Sequence, residues 1–168
     1  MLNQNESWNS IIIIWQELPF KKMRIIILSI MLALVSCTTY SDEEIQEFDE
    51  QIEVYLKKKK LSYTRSEDGL YYRIENAGKG RKIQYNDSVL ISYKGSLLDG
   101  KIVDYQKTPI WFAVKDLISG WKQGLTMVCK EADLRLILPP QLGYGDHELE
   151  SIPINSILIY ELKVFDIH

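Results

Sequence analysis

The spacing of apolar positions changes character along the chain, and each change predicts an element. In SDEEIQEFDEQIEVYLKKKK, Ile45, Phe48, Ile52 and Tyr55 recur at intervals of three and four, the period of an amphipathic helix over residues 42–58. Ser41 followed by Glu44 predicts a capping box at its start. Acids crowd its beginning and Lys57–Lys60 its end, which suits the helix dipole. Beyond Leu61 the period drops to two. LSYTRSEDGLYYRIENAGKG reads as a hairpin about a Glu-Asp-Gly turn, with Gly78-Lys79-Gly80 as a loop. In SVLISY, Val89, Ile91 and Tyr93 share one face. Asp99-Gly100 turns that strand into KIVDY, and residues 110–114 read as a further short strand. LRLIL at 134–138 alternates and stops at Pro139-Pro140. SILIYELKVF at 156–165 puts Leu158, Tyr160, Leu162 and Val164 on one face.

One stretch breaks this strand texture. LISGWKQGL, residues 117–125, has Leu117, Ile118, Trp121 and Leu125 at helical spacing, yet it carries Gly120 and Gly124. Each glycine costs a helix about 1 kcal/mol against alanine. The two lie one turn apart, so they predict a face that must approach its neighbour closely. A helix this short has to bury its apolar side on the sheet. The predicted class is therefore α+β: five to six antiparallel strands around one short helix, with an extra amino-terminal helix. That amino-terminal helix could pack on its own domain or on a second copy.

The first part of the chain has a different pattern. KKMRIIILSIMLALVSC places two lysines and an arginine before a short apolar run, then Ser36 and Cys37. That is the layout of a secretory signal. The run is too short to span a bilayer, which needs roughly 20 apolar residues. LVSC also resembles the bacterial lipobox, which implies lipidation at Cys37. A buried helix or an uncleaved anchor is the alternative. Residues 1–22 do not fit a signal and read as an upstream extension or a mis-assigned start. The expected organisation is thus 1–22 extension, 23–36 lipoprotein signal, 37–60 tether and helix, and 61–168 the folded domain.

Composition narrows function. The net charge is -3 and no basic stripe is present, which argues against nucleic acid as a partner. With 46% hydrophobic and 26% charged residues the chain has the balance of an ordinary globular domain. There are two cysteines. If Cys37 is lipidated, Cys129 is left alone, and its neighbours Met127 and Val128 suggest burial. The two histidines, His147 and His168, are scattered and form no metal-ligand pattern, so neither metal nor cofactor is expected.

Four motifs in order carry a resemblance. VLISYKGSLLDGKIVDY, FAVKDLISGWKQGL, LRLILPPQLGYG and IPINSILIYEL resemble the corresponding segments of the FKBP-type peptidyl-prolyl isomerases, the macrolide-binding class, over about residues 68–168. The resemblance implies an FKBP-like sheet wrapped around the short helix, with a pocket between them and Trp121 as its floor. It implies a catalytic set of Tyr93, Asp104, Phe112, Trp121 and Tyr144, and substrate contacts from Val103, Leu117, Ile118, Ile152 and Tyr160. Taken singly, Phe112, Leu117, Ile118 and Tyr160 read equally well as core, and Tyr144 as an exposed turn residue. Asp104 is hardest to read as structure, because a buried carboxylate needs a hydrogen-bond partner; Tyr93 is the expected one.

The implied function is cis–trans isomerisation of Xaa-Pro bonds in envelope or exported proteins. The alternative is a weakly active or inactive module that grips proline-containing segments within an envelope lipoprotein complex. The implied partners are proline-containing polypeptides, the membrane through Cys37, and a macrolide ligand held with reduced affinity. The implied location is the bacterial cell envelope, lipid-anchored at the outer membrane and facing the periplasm. Three positions depart from the family pattern. Val103 stands where phenylalanine is usual, Glu131 where glycine is usual at the turn after the helix, and Ser151 where an apolar residue often precedes Ile152. The first predicts a weaker grip on proline and macrolides.

Overall fold

A computed structural model describes residues 40–168. The expected extension at 1–22, the signal at 23–36 and the lipidation site Cys37 lie outside the described residues.

Helix α1, Asp42–Lys59, begins as its sequence predicts. The Ser41 hydroxyl accepts from the Glu44 N–H at 3.2 Å, and the Glu44 carboxylate accepts from the Ser41 N–H at 2.8 Å. Two N–H groups that a helix start leaves unpaired are thereby satisfied. At the other end Lys60 adopts a left-handed conformation, φ 55°, and its N–H reaches the carbonyls of Leu56 and Lys57.

Strands β1 (Thr64–Arg65), β2 (Tyr71–Asn76), β4 (Ser88–Leu97), β5 (Ile102–Ala113), β7 (Asp133–Leu138) and β8 (Leu158–Ile167) form one antiparallel sheet in the order β1-β2-β7-β8-β4-β5. A second pair joins β3 (Lys79–Lys82) to β6 (Cys129–Lys130). Helix α2, Ser119–Thr126, lies on the inner face of the large sheet. Here Val89, Ile91, Leu134, Leu136, Leu158, Tyr160 and Leu162 are all buried.

The other face of β2, β7 and β8 meets α1. Tyr71, Ile137 and Ile159 stand in one row across the three strands. They pack with Phe48, Ile52 and Leu56 of the helix. The apolar stripe of α1 is therefore covered by its own sheet. Farther along this outer face the side chains are charged: Arg135 pairs with Glu75 at 3.4 Å and Glu161 at 3.6 Å, and Lys163 with Asp133 at 3.6 Å.

The two glycines of α2 touch the sheet, as their spacing predicts. A Cβ on Gly120 would stand 2.5 Å from Cγ of Leu138, and one on Gly124 2.7 Å from Cδ2 of Leu136. Both lie under the ordinary 3.5–4.0 Å of carbon contacts. A side chain at either position would have to displace the leucine it meets.

Three expectations need correction. Gly78-Lys79-Gly80 is not a plain loop, because Lys79–Lys82 pairs with Cys129–Lys130. That pairing joins segments about 50 residues apart, and local composition does not reveal it. Residues 110–114 are not a separate strand: β5 runs through to Ala113, with a bulge between the pairs Tyr93–Gln106 and Ile91–Ile110. Pro109 in that segment suggests a break, but β5 is an edge strand, where proline and a bulge are tolerated. Cys129 is half-buried, with its sulfur 3.4 Å from the Gly80 carbonyl.

Candidate active site: an aromatic pocket with one carboxylate

Trp121 projects from α2 onto the inner face of the sheet and is 4% exposed. Three aromatic rings surround it. Tyr93 of β4 and Tyr160 of β8 each meet it edge-on at 4.9 Å between centroids, and Phe112 of β5 at 6.4 Å. Such T-shaped contacts lock the rings in orientation as well as bury them. Ile152 is buried beside them. Val103, Leu117, Ile118 and Tyr144 are half-buried against the same cluster. All the apolar and aromatic residues singled out in the sequence therefore meet on the inner face, drawn from β4, β5, β8, α2 and the loops between. The Trp121 indole N–H is buried and has no hydrogen-bond partner among the described residues. An unpaired buried donor is rare in a finished core.

Asp104 brings the only carboxylate of the set. The Tyr160 hydroxyl donates to Asp104 Oδ2 at 3.2 Å, and the expected partner, Tyr93, is also directed at that carboxylate. Tyr93 stays in the same field. Burial, and then the charge of Asp104, push its hydroxyl up to about 12. Burial also raises the Tyr144 hydroxyl. It raises that of Tyr160 furthest, with Tyr144 and Asp104 adding to the effect. All three phenols stay protonated at neutral pH, the Tyr160 proton being engaged by Asp104.

The arrangement is aromatic walls, three neutral hydroxyls and one carboxylate. It can seat a small apolar ring, exclude water and orient a carbonyl. Among the described residues no group of three or more His, Cys, Asp or Glu is placed to hold a metal ion. A cavity of about 300 Å³ opens on the sheet where Glu75, Lys94, Arg135, Glu161 and Lys163 converge. Those charges suit ion pairing and not an apolar ring, so the aromatic pocket is the better candidate.

Sequence reasoning did not single out Gly95. It pairs with Asp104 on one side and Tyr160 on the other. A Cβ there would stand 2.6 Å from the Tyr160 ring. A glycine in mid-strand was the available signal, since such a residue often marks a close approach.

The architecture is an antiparallel sheet with one short helix on its inner face and a cluster of aromatic rings between them. Residues 79–165 match the sequence profile of the FKBP-type peptidyl-prolyl cis-trans isomerases, and the chain belongs to that family. An FKBP-type peptidyl-prolyl cis-trans isomerase, FkpA, of Buchnera aphidicola is 38% identical over 123 residues, covering 70% of this chain and 49% of its own length. The FkpA of Escherichia coli K12 is 37% identical over 105 residues, covering 61% and 39%. The chain thus spans about half the length, or less, of these curated relatives. Among solved structures, a peptidyl-prolyl cis-trans isomerase of Pseudomonas syringae superposes with a TM-score of 0.63 at 26% identity, covering 76% of this chain and 98% of its own. The crystal structure of Escherichia coli FkpA gives 0.65 at 24% identity, with 99% and 82% covered, a likeness of fold.

Proposed function

We propose that the chain is a peptidyl-prolyl cis–trans isomerase acting on Xaa-Pro bonds of envelope or exported proteins. The observation that carries this reading is the gathering of Tyr93, Phe112, Trp121 and Tyr144 in one aromatic cluster, with Asp104 joined to it through Tyr160, in a chain belonging to the isomerase family.

The chemistry asks for little beyond such a pocket. Rotation about an amide crosses a barrier of about 18–20 kcal/mol, and an Xaa-Pro bond exchanges unaided over tens to hundreds of seconds. No covalent bond breaks. The proline ring sits on Trp121 between Phe112, Ile152 and Val103, and is held while the preceding carbonyl turns. The twisted amide has less charge separation than the planar one. A dry aromatic site therefore stabilises it relative to the ground state, which is where catalysis must come from. The Tyr144 hydroxyl donates to the substrate carbonyl. Asp104 stabilises the polarised carbonyl region and does not shuttle protons. Val103 leaves one wall thinner than a phenylalanine would, which weakens the hold on proline and on macrolides.

The amino-terminal segment supports a place in the bacterial envelope, with the protein anchored by lipid at Cys37 and facing the periplasm from the outer membrane. Mass spectrometry of the amino terminus from native membranes tests this: a diacylglyceryl cysteine at position 37 is expected, and an unmodified chain starting elsewhere would refute it. The isomerase reading is tested by measuring both affinity and exchange for a panel of Xaa-Pro peptides. Faster exchange is expected. Affinity without acceleration would mean that the pocket serves as a proline-binding module.

A further inference from the structure

Asp104, Gly95 and Tyr160 form one row across β5, β4 and β8. The outer two backbones are therefore two strand spacings apart, about 9–10 Å. Two ordinary side chains in such a row are separated by a third. Here the middle residue is glycine. The Tyr160 ring lies across it so tightly that a Cβ on Gly95 would meet the ring at 2.6 Å. The tyrosine is completely buried, and its hydroxyl reaches Asp104 Oδ2 at 3.2 Å.

We infer that Tyr160 is a positioning residue: its hydroxyl, carried across Gly95, fixes the Asp104 carboxylate. A hydrogen bond to one oxygen narrows the orientations open to the carboxylate. Its other oxygen then keeps a narrower range of directions toward the turning amide, and less reorientation is needed at the transition state. A phenyl ring at position 160 would fill the same wall and remove this hydrogen bond from the carboxylate. The inference rests on the isomerase reading, because it assigns a role within that same pocket.

The test is exchange kinetics of Xaa-Pro peptides on the wild-type chain and on Tyr160→Phe, Asp104→Asn and the double variant, with melting curves for each. Tyr160→Phe keeps the ring over Gly95. It is expected to lower kcat about ten-fold, the scale of one hydrogen bond to a charged group, while KM moves less than about two-fold. The double variant is expected to be no slower than Asp104→Asn, because the hydroxyl acts through the carboxylate. Proton NMR adds a signature that packing alone would not give: a slowly exchanging Tyr160 hydroxyl resonance, present in the wild type and lost in Asp104→Leu. An active wild type with Tyr160→Phe equally fast, losses that multiply in the double variant, or no protected hydroxyl would each overturn the inference and leave the isomerase reading standing. An inactive wild type would overturn both.

Discussion

Replacing Gly120 by alanine should weaken the fold, although alanine is the better helix former. On an exposed helix the change would stabilise by about 1 kcal/mol. In α2 the new methyl group would stand 2.5 Å from Leu138 Cγ and 2.6 Å from its Cδ2, with the Leu142 carbonyl at 3.2 Å. Leu138 is fully buried on the central strand β7. The shortfall from normal contact is about 1 Å. Overpacking of this kind costs about 1–3 kcal/mol. Set against the propensity gain, the net loss should be about 1 kcal/mol, and Trp121 on the next residue should be tilted out of its edge-on contacts. Urea unfolding followed by tryptophan fluorescence measures the first effect, and peptide affinity the second. A Gly120→Ala variant that is as stable as the parent or more so would refute the account of these glycines as close-packing residues.

Glu131 sits at φ 65° after β6, a left-handed conformation that costs a residue with a Cβ about 1–2 kcal/mol. Glu131→Gly is expected to stabilise the chain by about 0.5–1 kcal/mol, read as a higher urea midpoint at unchanged slope; a lower midpoint would contradict this. Stability should also fall at alkaline pH. The Tyr71 and Tyr93 hydroxyls both lie at about 12 in the fold against 10.0 for a free tyrosine, each chiefly through burial. The folded chain thus keeps these protons longer than the unfolded one. Their contribution is complete below pH 10 and is lost as pH rises through 12. Melting temperatures from pH 8 to 12 should drop across that window, and Tyr71→Phe should flatten the drop. Removing the helix cap with Ser41→Ala should cost about 1 kcal/mol, seen as earlier loss of α1 by hydrogen exchange.

Much of the fold was legible because it rests on local rules. The capping box of α1 and the alternation of β4, β7 and β8 each follow from spacing within a few residues. The two glycines of α2 announced a close approach in the same way. What stayed hidden depends on partners distant in sequence. The β3–β6 pair joins Lys79 to Lys130, and nothing in either segment marks the other. The single long β5 was obscured by Pro109, whose tolerance follows from an edge position visible only in the sheet order. In the pocket, motif order identified residues that the fold brings together, but not every pairing among them. The motifs point to Tyr93 as the partner of Asp104, and the fold adds a hydrogen bond from Tyr160, across a glycine that leaves the row open. That contact required knowing which three strands lie side by side.

The central claim is that the aromatic pocket on α2 catalyses proline isomerisation. Exchange NMR on Xaa-Pro peptides, comparing the purified chain with its Trp121→Ala variant after melting curves have shown that both are folded, tests it most directly. The account predicts cis–trans exchange faster than the unaided tens to hundreds of seconds with the parent chain, and a return toward the unaided rate with the variant. Equal acceleration by both would place the activity elsewhere, and no acceleration by either would contradict the isomerase reading itself.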